Sequence, residues 1–322
     1  MRKERGEFFS SNFFIGIAIS SLAFLAALLI PIIGPFFFII SPLPIFYYYS
    51  KTGRVQGSTI FAISLSLVAI ILTIFDSSAN IPLLFLLGSL GVILSEIFRK
   101  NYSIETTIIL PVLVLTILWF TFIFFQSLSL GKQPWLLIED YIERDIQEII
   151  QLYAQLDIPV EQIDLAKNNI KQITHFFTNI FPAILLVSAS FTVWINIMAA
   201  RELFQKNRIW YPDFGDLSRW KAPESLIWIL IANGVMLLIP VEWVQILGLN
   251  LLLICLFVYF LQGMSVIGFL FKAKNVHRLF RIPCYVLIFA QQYIILIVIA
   301  VGIIDLWIDF RKFINPLTDA TT

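Results

Sequence analysis

Residues 244–271 read VQILGLNLLLICLFVYFLQGMSVIGFLF, a run of 28 positions without one charged side chain. A transmembrane helix needs about 20 mainly apolar residues, because the hydrocarbon core of a bilayer is about 30 Å thick. Runs of the same kind recur along the chain and are separated by short charged loops. The pattern predicts an all-α, polytopic transmembrane bundle.

The composition supports a membrane protein and excludes most soluble classes. Hydrophobic residues make up 59% of the 322 positions and aromatic residues 15%, while only 13% are charged, against about 25% in soluble proteins. The net charge of +1 offers no basic field for nucleic acid, so the first partner we expect is the lipid bilayer. Cys255 and Cys284 both lie in apolar runs, which favours buried thiols over a disulfide framework.

About nine spans are predicted. They lie near residues 12–31, 34–50, 57–75, 81–98, 106–127, 176–200, 225–241, 244–271 and 282–308. The first follows N-terminal cations as a secretory signal does, but no clear small-residue cleavage site comes after it, so we expect a retained helix. The second contains Pro42 and Pro44, each of which lacks a backbone donor, so that span should be kinked or partly broken.

The positive charges orient these spans. With the N-terminus in the cytoplasm, 16 of the 22 Lys and Arg residues fall on the cytoplasmic side, as the positive-inside rule requires. Without the second span the contrast falls to 13 against nine. The nine-span arrangement places the C-terminus outside. The six cations that it leaves outside are Lys132, Arg144, Lys167, Lys171, Arg311 and Lys312.

One long connection, residues 128–175, divides the chain into five spans in 1–127 and four in 176–322. It carries eight acidic and four basic residues, which suits an extracytoplasmic position. An apolar stripe at helical spacing comprises Ile138, Ile142, Ile146, Ile149, Ile150 and Tyr153. With Pro159 ending this helix, we expect an amphipathic helical hairpin on the outer face. The hairpin either packs against its own bundle or forms a lid over an outward-facing cavity.

Polar side chains within the predicted spans are candidates for ligand binding, because they are costly in lipid. The four selected are Asn233, Asn250, Gln262 and Asp305. Asn and Gln can instead join helices by hydrogen bonds, and small residues such as Gly263 and Gly268 let helices approach closely. Asp305 lies one helical turn before Asp309, so the pair forms either a proton or cation site or a polar helix end.

The loop 201–224 is the second candidate site, because it combines cationic and acidic residues with several aromatic side chains. Those aromatics are Trp210, Tyr211, Phe214 and Trp220. They either dock a cytoplasmic protein partner or anchor the loop at the membrane interface.

The chain offers no sign of catalysis. His175 and His277 lie in separate connections without a Cys or carboxylate at metal-ligand spacing, and no phosphate-binding loop, nucleophile elbow or zinc-protease motif occurs. We therefore expect no enzyme activity, no metal and no cofactor.

Several stretches resemble the YybS-like family, uncharacterised bacterial multi-pass membrane proteins with a domain of unknown function. They are FPAILLVSASFTVWINIMAARELFQKN (181–207), WYPDFGDLSRWKAPESLIWILIANG (210–234), GLNLLLICLFVYFLQGMSVIGFLFK (248–272), GIIDLWIDFRK (302–312) and SPLPIFYYYSKTGRVQG (41–57). The resemblance implies the inner membrane of a bacterium. The N-terminal part is also similar to the substrate-binding subunits of energy-coupling-factor vitamin transporters and to the rod-shape protein MreD.

Two functions follow as hypotheses. The first is a small-solute-binding or transport-related subunit without an ATPase of its own. It is favoured by the polar groups within the spans and by the transporter resemblance. The alternative is a non-enzymatic scaffold or regulator that recruits cytoplasmic partners through the loop 201–224.

Overall fold

The computed structural model describes residues 11–30, 34–75, 81–155 and 160–314, which form helices and, within these ranges, no strand. The first helices are α1 Ser11–Leu29, α2 Gly34–Ile40, α3 Pro42–Thr52, α4 Arg54–Ile74, α5 Ile81–Phe98, α6 Ile104–Leu130 and α7 Pro134–Ala154. The remaining ones are α8 Val160–Asn168, α9 Ile170–Lys206, α10 Leu226–Leu238, α11 Glu242–Ala273, α12 Arg278–Ala290, α13 Gln292–Ile308 and α14 Phe310–Ile314. The helical membrane fold is thus confirmed.

Among the described residues, six helices are long and apolar enough to cross a bilayer: α1, α4, α5, α6, α9 and α11. A seventh span results if α12 and α13, bent by 104° at their junction, are counted as one. The predicted second span is broken at Ser41, between α2 and α3, as its prolines indicated. The predicted span 225–241 is a helix of 13 residues, only about 20 Å long. The structure therefore supports six or seven of the nine predicted spans.

The predicted outer segment 128–175 contains two helices, α7 and α8, separated by residues 156–159, which lie outside the described part. The predicted apolar stripe of this segment is only partly buried. Ile138 and Ile150 are buried, whereas Ile149 and Tyr153 are exposed. Pro159, expected to end the first helix, falls among the residues that are not described.

The chain folds as two compact units, residues 1–137 with 188–213 and residues 138–187 with 214–322. In the first unit, α3 packs against α5 where Gly91 meets the backbone of Pro42 and Phe46. The carboxylate of Glu96 on α5 is held mainly by Arg54, whose Nη2 lies 2.6 Å away, and more loosely by Arg99 at 3.9 Å.

Two polar side chains compensate for the proline break in the first unit. Because Pro42 has no N–H, the carbonyl of Phe38 lacks its usual helical donor, and Ser41 Oγ donates to it at 2.9 Å. The neighbouring carbonyl of Ile39 accepts a hydrogen bond of 2.7 Å from Asn196 Nδ2. Asn196 is fully buried, so its membrane-embedded amide serves the backbone of a broken helix.

In the second unit, α11 is the central helix and packs against α10, α13 and a short 3-10 turn, Leu217–Arg219. The contact with α13 depends on two glycines. A Cβ at Gly263 would lie 2.0 Å from the carbonyl oxygen of Val298, and one at Gly302 would lie 2.1 Å from that of Tyr259. The predicted close approach at Gly263 is confirmed, whereas Gly268 has no atom closer than 3.8 Å to its Cβ position.

Candidate functional site

The second unit contains a buried polar network built on Asp305 and Gln262, two of the four predicted ligand-binding residues. Asp305 on α13 is 1% exposed and Gln262 on α11 is fully buried. Gln262 Nε2 donates to Asp305 Oδ2 at 3.0 Å, and Gln262 Oε1 accepts from the backbone N–H of Ala222 at 3.2 Å. Gln262 therefore joins the last long helix to the segment 214–222, which precedes α10.

Arg311 completes this network. Its Nη1 lies 3.4 Å from Asp305 Oδ2, and the two side chains are 9% and 0% exposed. Its Nη2 donates to the carbonyl oxygen of Trp220 at 3.0 Å and to Ser265 Oγ at 3.1 Å. In the sequence, Arg311 stands out only as one of the six cations that the nine-span arrangement leaves outside. Nothing in the sequence spacing could show that it turns back against α11.

The two C-terminal carboxylates do not share one site. Asp309 has φ of +45° and ends α13 in the left-handed conformation. Its Oδ2 binds Lys221 at 2.8 Å and lies 3.6 Å from Lys312, while Asp305 faces Gln262 and Arg311. Asp305 is thus paired with Arg311, and Asp309 is paired with Lys221.

A further ion pair joins the segment 214–222 to the end of α11, between Asp216 and Lys272. Partial burial of Asp216 acts to raise its pKa, but hydrogen bonds from Lys272 and from Ser218 outweigh burial and lower that pKa to about 2. The carboxylate is therefore charged at neutral pH and holds the segment against α11.

Some hydrogen-bonding capacity in this region is unused. Arg311 Nε and the hydroxyl of Tyr259 are among the buried side-chain atoms of the described residues that have no hydrogen-bond partner. Tyr259 itself is fully buried on α11, one turn before Gln262. Buried polar atoms are nearly always paired, so a donor or acceptor left over beside an ion pair is a reason to consider a ligand.

Asn233 on α10 lies apart from the Asp305 network but contacts the face of α11 that carries Gln262. It is 2% exposed, and its Nδ2 is 3.7 Å from the sulfur of Cys255. Cys255, Tyr259 and Gln262 follow at positions i, i+4 and i+7, which share one face of a helix. Cys255 is buried as expected, whereas Cys284 is exposed.

Asn250 on α11 bonds to the backbone of α9. Pro182 interrupts the hydrogen-bond ladder inside α9, and the carboxamide of Asn250 is inserted there. Asn250 Oδ1 accepts from the N–H of Ala183 at 2.9 Å, and its Nδ2 donates to the carbonyl of Asn179 at 2.8 Å. A direct helical hydrogen bond would join those same two backbone groups, so Asn250 bridges the break.

Replacing Asn250 by leucine is expected to destabilise the protein by about 2 kcal/mol, because two buried backbone groups would lose their partner. The measurement is the thermal unfolding midpoint in detergent. Adding Pro182→Ala should reduce this loss, since α9 could then close its own ladder. Asn169→Ala is the control, because Asn169 is only half-buried and its side chain bonds to a carbonyl of its own helical stretch, that of Leu165. Equal midpoints for Asn250→Leu and Asn169→Ala would contradict the bridging role.

The four loop aromatics predicted to bind a partner lie in different environments. Trp210 is 53% exposed, whereas the ring of Tyr211 packs against Phe98 at 5.3 Å in the first unit. The Tyr211 hydroxyl donates to the carbonyl of Ile197 at 3.0 Å. Phe214 and Trp220 are half-buried. Only Trp210 presents most of its side chain on the surface.

Within the described ranges, no three His, Cys, Asp or Glu side chains come close enough together to hold a metal ion. The polar network around Asp305 consists of carboxylate, amide, hydroxyl and guanidinium groups. Such groups can bind a small solute that carries hydrogen-bond acceptors or a negative charge.

The long apolar helices and the buried network define a multi-pass helical membrane protein. The chain belongs to the family described as "Predicted membrane protein (DUF2232)", whose model matches residues 18–306. No curated protein and no solved structure gives a significant match to the chain.

Proposed function

We propose that the protein is a small-solute-binding or transport-related subunit of the bacterial inner membrane, with its N-terminus in the cytoplasm and no ATPase of its own. The observation that carries the proposal is the buried ion pair of Asp305 and Arg311 inside an apolar, membrane-embedded unit. Charges in such a position are costly and tend to mark substrate or ion sites. The partnerless Arg311 Nε beside the pair favours a solute with an acceptor group.

The interrupted helices support the same proposal. The first unit contains α2 and α3, separated at Ser41, and the second unit contains α12 and α13, bent by 104° at their junction. Discontinuous helices are typical of transporters, where broken backbone helps to line solute sites. The resemblance of the N-terminal part to the substrate-binding subunits of energy-coupling-factor transporters also favours solute binding. In this proposal the amphipathic helix α7 belongs to an outer hairpin. Gln262 and Asp305 are then the main ligand-binding residues, and Asn233 and Asn250 have supporting positions.

The alternative, a scaffold that recruits a cytoplasmic protein through loop 201–224, is supported mainly by the exposed Trp210. Tyr211 and Trp220 already contact their own units, so they offer less surface to a partner. In both proposals the protein is not an enzyme, because the sequence provides no nucleophile paired with a base.

A ligand screen tests the first proposal. We expect the thermal unfolding midpoint of the purified protein to rise with at least one member of a panel of small carboxylates, amino acids and vitamins. A ligand at 100 times its Kd stabilises a protein by about 2.7 kcal/mol. Asp305→Asn should abolish the increase, whereas Glu224→Gln, an exposed acid outside the network, should retain it.

Two results would contradict this proposal. The first is a panel in which no solute changes the unfolding midpoint. The second is an increase that persists unchanged in Asp305→Asn, which would mean that the solute binds away from the network.

A further inference from the structure

The helix pair α12 and α13 begins beside the segment 214–222. The end of α11 lies against this segment, because Ser265 Oγ donates to the carbonyl oxygens of Leu217 at 3.0 Å and Trp220 at 2.9 Å. Lys272, one residue before the end of α11, pairs with Asp216. The end of α11 and the segment are therefore on the same side of the membrane.

The start of α12 is fixed to the end of α11. Arg281 Nε donates to the carbonyl of Val276 at 2.8 Å, and its Nη2 donates to that of Phe271 at 3.3 Å. Asn275 has φ of +49°, which turns the chain sharply between the two helices. Since α12 starts only a few residues after Lys272, it starts on the side of the segment 214–222.

The end of α13 returns to the same segment. Asp309 binds Lys221 at 2.8 Å, and Arg311 Nη2 donates to the carbonyl of Trp220 at 3.0 Å. A single crossing would instead separate the start of α12 from the end of α13 by the thickness of the hydrocarbon core, about 30 Å. Direct side-chain contacts with residues 220 and 221 are incompatible with that separation.

We infer that α12 and α13 form a re-entrant pair that enters the membrane from the side of the segment 214–222 and returns to it. The helices contain 13 and 17 residues, so they are about 20 and 26 Å long, each shorter than the core of about 30 Å. The bend of 104° at Gln291 makes the pair a V, with its tip inside the bilayer.

The re-entrant placement also predicts what covers the exposed side of α12. One side of the helix packs on α11, with the ring of Tyr285 5.6 Å from that of Phe271. The other side exposes Leu279, Phe280, Ile282, Val286 and Leu287. We assign this face to the acyl chains of the nearer leaflet, because the pair is apolar enough for a span and because Lys272, Lys274 and Arg281 flank its start at headgroup level.

The re-entrant pair changes the expected position of the C-terminus. If the segment 214–222 is cytoplasmic, Arg311 and Lys312 are cytoplasmic too. Of the 22 Lys and Arg residues, only Lys132, Arg144, Lys167 and Lys171 then lie outside, all within 128–175. Two of the six cations that the nine-span arrangement leaves outside, Arg311 and Lys312, then obey the positive-inside rule.

Cysteine labelling tests the re-entrant pair and does not depend on solute binding. In a Cys255→Ser, Cys284→Ser background, single cysteines are introduced by Lys312→Cys, Glu224→Cys and Arg144→Cys, all at exposed positions. A membrane-impermeant maleimide is applied to vesicles of known orientation, before and after permeabilisation. Lys312→Cys should label from the same side as Glu224→Cys. Arg144→Cys should label from the opposite side.

Labelling of Lys312→Cys from the side opposite to Glu224→Cys would overturn the inference. A second measurement addresses the lipid contact. A spin label at Leu287→Cys should be accessible to oxygen and protected from a water-soluble nickel chelate, as expected in acyl chains. Free access of the chelate to that label would show that water, not lipid, covers this face, and would overturn the assignment.

Discussion

Replacing Gly302 by alanine is expected to destabilise the second unit by about 3 kcal/mol. The added Cβ would lie 2.1 Å from the carbonyl oxygen of Tyr259 and 2.9 Å from the backbone nitrogen of Gly263. Both atoms belong to the backbone of α11, so no side chain can rotate away and the two helices must separate. Overpacking of this kind typically costs about 1–3 kcal/mol, and here the clash involves backbone on both sides. The unfolding midpoint in detergent measures the effect.

The same change at other glycines provides matched controls. Gly268→Ala on α11 meets no atom closer than 3.8 Å, and Gly234→Ala on α10 meets none within 4 Å. Alanine at these helical positions should be neutral or should stabilise by about 0.5–1 kcal/mol. If Gly302→Ala unfolds at the same temperature as Gly268→Ala, the close crossing of α11 and α13 is wrong.

The glycines show what a sequence can and cannot reveal about this fold. Gly263 was recognised because it lies in an apolar helix, where a small residue permits close approach. Gly268 has the same sequence character, but its Cβ position lies 3.8 Å or more from its neighbours, the side chains of Ser218 and Tyr285. Gly302 was not recognised, because its role depends on which helix packs against α13. Local patterns predict helices and their apolar character, but the pairing of helices depends on the whole chain.

The two helix breaks also differ in whether the sequence predicts them. The break at Ser41 could be predicted, since Pro42 and Pro44 each remove a backbone donor. The break at Gln291 has neither proline nor glycine beside it, and residues 282–308 therefore read as one continuous span. Only the contacts of Asp309 and Arg311 with the segment 214–222 show where this chain segment returns.

The candidate site was predictable in part. Asp305 and Gln262 were identified because each is polar within an apolar run, and the structure joins them although they are 43 residues apart. In the sequence, their other partner, Arg311, resembles an ordinary cation that flanks the end of a transmembrane helix. Its burial results from the turn at Asp309, which no sequence pattern specified.

Replacing Arg311 by methionine is expected to destabilise the protein by about 3–5 kcal/mol, because it leaves the charge of Asp305 buried without its cation. The Asp305 side chain is fully buried, so water cannot replace the guanidinium. Methionine keeps much of the packing volume and thereby isolates the loss of charge. The thermal unfolding midpoint of the purified protein is the measurement.

A nearby surface pair and a double variant provide the controls. Lys312→Met removes a cation that is 70% exposed and 3.6 Å from Asp309, so the loss should be at most about 1 kcal/mol. Adding Asp305→Asn to Arg311→Met should recover part of the lost stability, because the neutral amide removes the unpaired charge and can still bond to Gln262. If Arg311→Met costs no more than Lys312→Met, or if the double variant is less stable than Arg311→Met alone, then the buried pair of Asp305 and Arg311 does not hold the end of α13 in place.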